Sequence, residues 1–199
     1  MQNEPQQKEW SNATPAGLVA LAVACFCFFA LLTKQVTGSA IILVGCWLLG
    51  GFVIQLVVAL VDLKGGNMTG GNTFLFFCAF FMLVSGSEMI VKAVGAANKL
   101  SFDGRVDGWA WLALTLVVLL WTPAFFKVPS VLSLIVLALD FSLPFIALKD
   151  MKVIPEELGV FAGWGLLVAG ILGIYMSAAM ITNNAYGKTI LPINLTKAK

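Results

Sequence analysis

The sequence predicts an all-α membrane protein, a bundle of six transmembrane helices, and three observations carry that prediction. Of the 199 residues 60% are apolar and only 11% charged, against about 25% charged in a soluble domain. Six apolar stretches reach the roughly 18 to 20 residues that a bilayer crossing demands. The breaks between them (TKQVTG, DLKGGNMTGGN, KAVGAANKLSFDGRVDG, KVPS, KDMKVIPEE) hold the Gly, Pro, Asn and charged residues that punctuate helices.

In order, the spans are read at Pro15 to Leu32, Ser39 to Val61, Phe74 to Val91, Trp109 to Phe126, Val131 to Leu148 and Leu158 to Ile181. The first follows a polar segment, residues 1–14, whose acid-containing start MQNEPQQKEWSNAT lacks the basic region of a cleaved signal peptide. That first span is therefore expected to stay in the mature protein. Residues 15–182 form the transmembrane domain and residues 183–199 a polar C-terminal tail. An even number of crossings puts both termini on one side, but the bases divide evenly between the two sides, so the positive-inside rule does not orient the chain. Trp10, Trp109, Trp121 and Trp164 fall near span ends, where tryptophan anchors the interface. On the sixth span Gly165, Ala169, Gly173 and Ser177 recur every four residues. Such a small-residue face admits a second backbone, either within the subunit or at a pore or subunit contact.

Composition also narrows function. The net charge is +2 with scattered bases, which excludes a nucleic-acid surface. Histidine is absent, which removes bis-histidine haem ligation and the usual imidazole relay; no metal and no cofactor are expected. Cys25, Cys27, Cys46 and Cys78 all sit in apolar runs and imply no disulfide framework. No nucleophile stands beside a base at useful spacing, and there is no phosphate loop, so an enzyme is not expected.

The first, third and fifth spans begin on the side that carries the termini, and their starts share a chemistry. The first opens at Asn12-Ala-Thr14-Pro15-Ala-Gly17, the third at Gly66 to Asn72 with Asn67 and Thr69, and the fifth at Val128-Pro129-Ser130. Asn, Thr and Ser cap helices, Pro suits the first turn, and a helix start offers unpaired N–H groups with partial positive charge. Several starts converging on one vestibule would attract a small carboxylate; the plainer reading is that these residues only start helices. The returning stretch TNNAYGKTILPIN, with Asn183, either lines that mouth or is a solvated tail.

At these residues the sequence resembles the acetate uptake transporter family, the succinate-acetate permeases, from Asn12 to Ile193. Asn12 to Leu18 is similar to the family signature NPAPLGL, with Asn12, Pro15, Gly17 and Leu18 matched and three positions changed. DLKGGNMTG, FAGW at Phe161 to Trp164, and the sixth helix and tail with Tyr175, Asn183, Gly187 and Pro192 resemble further family stretches. The resemblance implies a six-helix protomer of a homohexamer in a membrane, by default a prokaryotic inner membrane. It also implies passage of acetate and related small carboxylates, often succinate, proton-linked or channel-like. The vestibule is read at Asn12, Thr14, Pro15, Gly17, Asn67, Thr69, Tyr175 and Asn183, and the resemblance implies an apolar constriction at Leu21, Phe77 and Phe141. Phe77 stands where the family has Tyr, so a hydroxyl is missing from that ring.

Asp140 lies in the fifth span, where a lipid-exposed acid would cost roughly 2.5 to 3.5 kcal/mol. It is read either as a proton-coupling carboxyl or as the structural partner of a neighbouring helix. Pro144 removes a helical bond to its carbonyl, so an irregular helix is expected there. Glu88 and Lys92 are spaced for an interfacial ion pair, and Asp62 and Lys64 close the second helix in the headgroup zone. Two other function classes stand beside the permease: a membrane anchor or quinone-binding subunit, for which histidine ligands are lacking, and a purely structural oligomer, for which the polar helix starts would be unnecessary.

Overall fold

The computed structural model describes residues 10–194, so the polar N-terminal segment is seen only from Trp10 onward. The chain forms α1 (Thr14–Leu32), α2 (Ile41–Lys64), α3 (Met68–Phe76), a π-helical segment (Phe77–Val84), α4 (Ser85–Ala97), α5 (Arg105–Phe125), α6 (Ser130–Asp150) and α7 (Gly159–Tyr186). α3, the π segment and α4 make one continuous third span, so six segments are long and apolar enough to cross a membrane. Among the described residues there is no strand.

Two boundaries differ from the hydropathy reading. The third span starts at Met68 instead of Phe74, because the side chain of Asn67 accepts a bond from the Gly70 N–H and caps the helix early. The last helix continues to Tyr186, where Gly187 at φ +63 terminates it in the left-handed conformation. Asn183 therefore belongs to the helix, and the tail begins after it. α6 also runs unbroken through Pro144, contrary to the irregularity expected there.

The helices pack as a closed ring. α1 lies between α2 and α7, α6 lies between α5 and α7, and α2 holds the third span. Edge contacts from Phe76 to Trp121 and from Phe81 to Trp111 join the third span to α5 and close the circle. Outward faces stay apolar, with Leu43, Trp47, Val57 and Leu120 all more than half exposed. Lipid is as apolar as these side chains, so helix association there relies on close packing.

Small residues supply that packing. On α7, Gly165 faces Ser142 and Phe141 of α6, and Gly173 faces the Leu18 carbonyl of α1, so the small-residue ladder works inside the subunit. Where α2 crosses α4, a Cβ on Gly86 would stand 2.9 Å from the Gly45 carbonyl oxygen, and one on Gly45 would stand 2.7 Å from the Gly86 carbonyl oxygen. Neither backbone can yield without moving a helix. Gly86→Val is therefore expected to destabilise the fold by about 1–3 kcal/mol, read as a lowered thermal transition in detergent, whereas the same change at exposed Gly50 leaves the transition near wild type.

Candidate functional site

A cavity of about 100 Å3 opens inside the ring on the side where α1, α3 and α6 begin. Its walls are almost wholly apolar, built from Leu18, Leu21, Phe74, Phe77, Val118 and Leu139 among others. Polar side chains gather at its mouth: Thr14, Asn67 and Thr69, with Asp62 and Gln55 reaching in from α2. A dry cavity of ~150 Å3 accepts benzene, so this one has room for a molecule of a few heavy atoms.

Asp62 organises the mouth. Its carboxylate accepts from Thr14 Oγ1 at 3.3 Å and from Asn67 Nδ2 at 3.0 Å, tying together the end of α2 and the starts of α1 and α3. It is 6% exposed, buried between helices at the end of α2. Gly70 makes room for it, since a Cβ there would lie 2.6 Å from Asp62 Oδ2. The start of α3 also presents its positive dipole end to the carboxylate. Lys64, its neighbour two residues on, sits 4.4 Å over the Trp10 ring.

The helix-start amides expected to stay open are capped locally. Asn12 Oδ1 accepts the Thr14 N–H at 2.9 Å, and Asn67 Oδ1 accepts the Gly70 N–H at 3.0 Å. Pro15 is buried in the first turn of α1, and Gly17 leaves space for the Phe74 ring, whose nearest atom would be 2.6 Å from an added Cβ. The Gly17 carbonyl accepts from Gln55 Nε2 at 3.4 Å, while Gln55 Oε1, equally buried, has no partner.

The inner end of the cavity is closed by aromatic rings. Phe77 meets Phe81 edge-on at 5.6 Å, and Phe81 in turn stacks on Phe28 at 5.3 Å and meets Trp111 at 5.7 Å. Phe28 and Trp111 line a second cavity of about 290 Å3 that opens at the opposite ends of the helices. Phe81, 1% exposed, thus lies between a ring that lines the first cavity and two that line the second. It is carried on the π segment, whose wider turns shift the register of the third span; such segments recur at functional sites. The second mouth is charged. Lys92 contacts Asp107 of α5 and lies 3.7 Å from Glu88, and Lys149 meets Asp150 at 2.6 Å.

Several expected site residues lie elsewhere. Phe141 is half exposed on the outer face of α6 and packs on Phe145; Leu139 turns toward the cavity in its place, two residues earlier on the helix. The expected constriction of Leu21, Phe77 and Phe141 is corrected accordingly: Leu21 and Phe77 line the cavity, and Phe141 does not. Tyr175 donates to the Pro192 carbonyl at 2.7 Å, and Asn183 bonds the backbone of Ile190 and Leu191. These two residues pin the C-terminal strap, which reaches α6 through Ile193 and Asn194. Neither lines the cavity. Asp140 meets Thr122 of α5 at 2.6 Å and stands outside the cavity wall.

The sequence matches the GPR1/FUN34/yaaH family over residues 1–196. The chain belongs to the GPR1/FUN34/yaaH family. This is the acetate uptake transporter family that its motifs resemble. No curated protein sequence matches it. Its fold is similar to that described in "Structure of the bacterial acetate channel SatP", with a TM-score of 0.76 and 19% identity, covering 93% of this chain and 99% of that one. At that identity the likeness shows the fold alone.

Within this GPR1/FUN34/yaaH protein, sequence reasoning missed Gln55 and Phe81, read Trp121 only as an interfacial anchor, and did not anticipate the burial of Asp62. One signal for α2 was present: Leu48, Gln55 and Asp62 are seven apart, two helical turns, and all three are buried. Losing the Asn183 side chain should release the strap without disturbing the bundle. Asn183→Ala is expected to make Lys188 cleavable by trypsin in detergent while the wild-type chain resists at the same site; equal rates would contradict the strap.

Proposed function

We propose that the chain passes acetate and related small monocarboxylates across the membrane through this cavity, with a proton accompanying each anion. The observation that supports the reading best is the cavity itself: small, apolar, and polar only at its mouth. Acetate has four heavy atoms and suits the available volume. Stripping water from a bare carboxylate is very costly, so passage past apolar walls favours the neutral acid or an anion moving with a proton. The polar mouth of Thr14, Asn67 and Thr69 receives the acid, and Leu21, Phe77 and Leu139 surround its methyl group. The charged second mouth then offers water and exchangeable ion-pair partners on the far side.

Phe81 is the barrier in this reading, so it sets both rate and chain length. Protomers are inferred to associate through their exposed apolar faces as a homo-oligomer, in keeping with the hexamer that the family resemblance implies. A prokaryotic inner membrane remains the proposed location, and succinate, longer and doubly charged, is the harder cargo for so small a cavity.

Exchange of labelled acetate into proteoliposomes at pH 7.5, measured above protein-free liposomes, tests the reading. Saturable exchange is expected of the wild type. Phe81→Ala is expected to quicken it several-fold and to admit butyrate, while Phe141→Ala leaves rate and chain-length preference unchanged. Exchange no faster than that of empty liposomes would overturn the proposal.

A further inference from the structure

The geometry points to Asp62 as the residue that takes up the coupling proton, an assignment that rests on the cavity reading above. Asp62 is the sole charged side chain lining the cavity among the described residues. The site is built around its carboxylate: Thr14 and Asn67 donate to it, Gly70 leaves it space, and the start of α3 faces it. Those donors are already directed at Asp62, and the nearby helix-start amides are closed by Asn12 and Asn67. A second carboxylate entering this mouth therefore meets a like charge.

Two carboxylates in one apolar site cannot both stay ionised. The balance is simple. One proton enters from water with the substrate anion, is shared in a single O–H···O bond between the substrate and Asp62, and leaves when the substrate departs. The buried Gln55 amide, whose Oε1 lacks a partner, lies on the same face of α2, two turns deeper, and offers the protonated substrate an acceptor as it moves inward.

Among the described residues no other charged side chain lines this cavity. α1, α3 and the π segment carry no ionisable acid or base facing Asp62, and Glu88 and Lys92 of α4 lie at the opposite mouth. Lys64 is held over Trp10, and Lys127 and Lys188 do not line the cavity. Asp140 accepts from Thr122 Oγ1 at 2.6 Å and does not line the cavity, and its other carboxylate oxygen is buried without a partner.

Calorimetric titration of the full-length chain in detergent with sodium acetate at pH 7.5, in buffers of different ionisation enthalpy, counts protons taken up per acetate bound. About one proton is expected for wild type and for Asp140→Asn. Asp62→Asn, whose amide can donate to the anion directly, is expected to bind acetate with no proton uptake. Acetate binding without proton uptake in wild type, or unchanged uptake in Asp62→Asn, would overturn the assignment while leaving the cavity reading intact. Absence of acetate binding in the wild type would overturn both. Should Asp62→Asn fail to fold, infrared difference spectra of wild type with 13C-labelled acetate decide: an unlabelled carboxylic-acid carbonyl band supports the assignment, and its absence refutes it.

Discussion

A carboxylate in an apolar wall must be surrounded by donors, and the way Asp62 meets that demand shapes this end of the molecule. Three helix termini converge on it, because Thr14 belongs to the start of α1, Asn67 caps α3, and Asp62 itself lies in the last turn of α2. Asn67 does two jobs with one side chain, its oxygen accepting from Gly70 and its nitrogen donating to Asp62. Gly70 and Gly17 then follow as necessities of space, one for the carboxylate and one for the Phe74 ring. The cavity is what remains between helices held apart by these contacts.

The opposite half of the bundle is built on a different principle. Aromatic rings fill the centre, with Phe81 touching Phe77 on one side and Phe28 and Trp111 on the other. Ring pairs in this edge-on or stacked range add about 0.5–1.5 kcal/mol each beyond their burial. Ser85 donates through its hydroxyl to the Phe80 carbonyl, five residues back, and so supports the wider π turn that carries Phe81. Beyond it the charged residues pair among themselves, with Lys92 shared between α4 and α5.

Much of this was legible in the sequence. Length and hydropathy located all six spans, and the polar helix starts pointed to Thr14, Asn67 and Thr69 at one mouth. Phe77 and Leu21 were also found at the cavity, because they lie close to recognisable motifs. Phe141 was not, since a gap-free count along α6 carries no information on helix rotation, and two residues turn a side chain from core to surface. Asp140 drew notice as an acid deep in a span, yet its partner, Thr122, lies on α5, and pairing between helices is invisible along one chain. The burial of Asp62 was hidden for a related reason. Its position at the end of an apolar run was clear, but burial there depends on the starts of α1 and α3 closing over it.

The measurement that bears most directly on the account is the position of a bound carboxylate. Difference density between crystals grown with and without acetate would locate it. Density between Leu21, Phe77 and Leu139, with the carboxylate directed to Asp62, is the predicted result. Density found only at the lipid-facing surface or at the mouth beside Lys92 would contradict it.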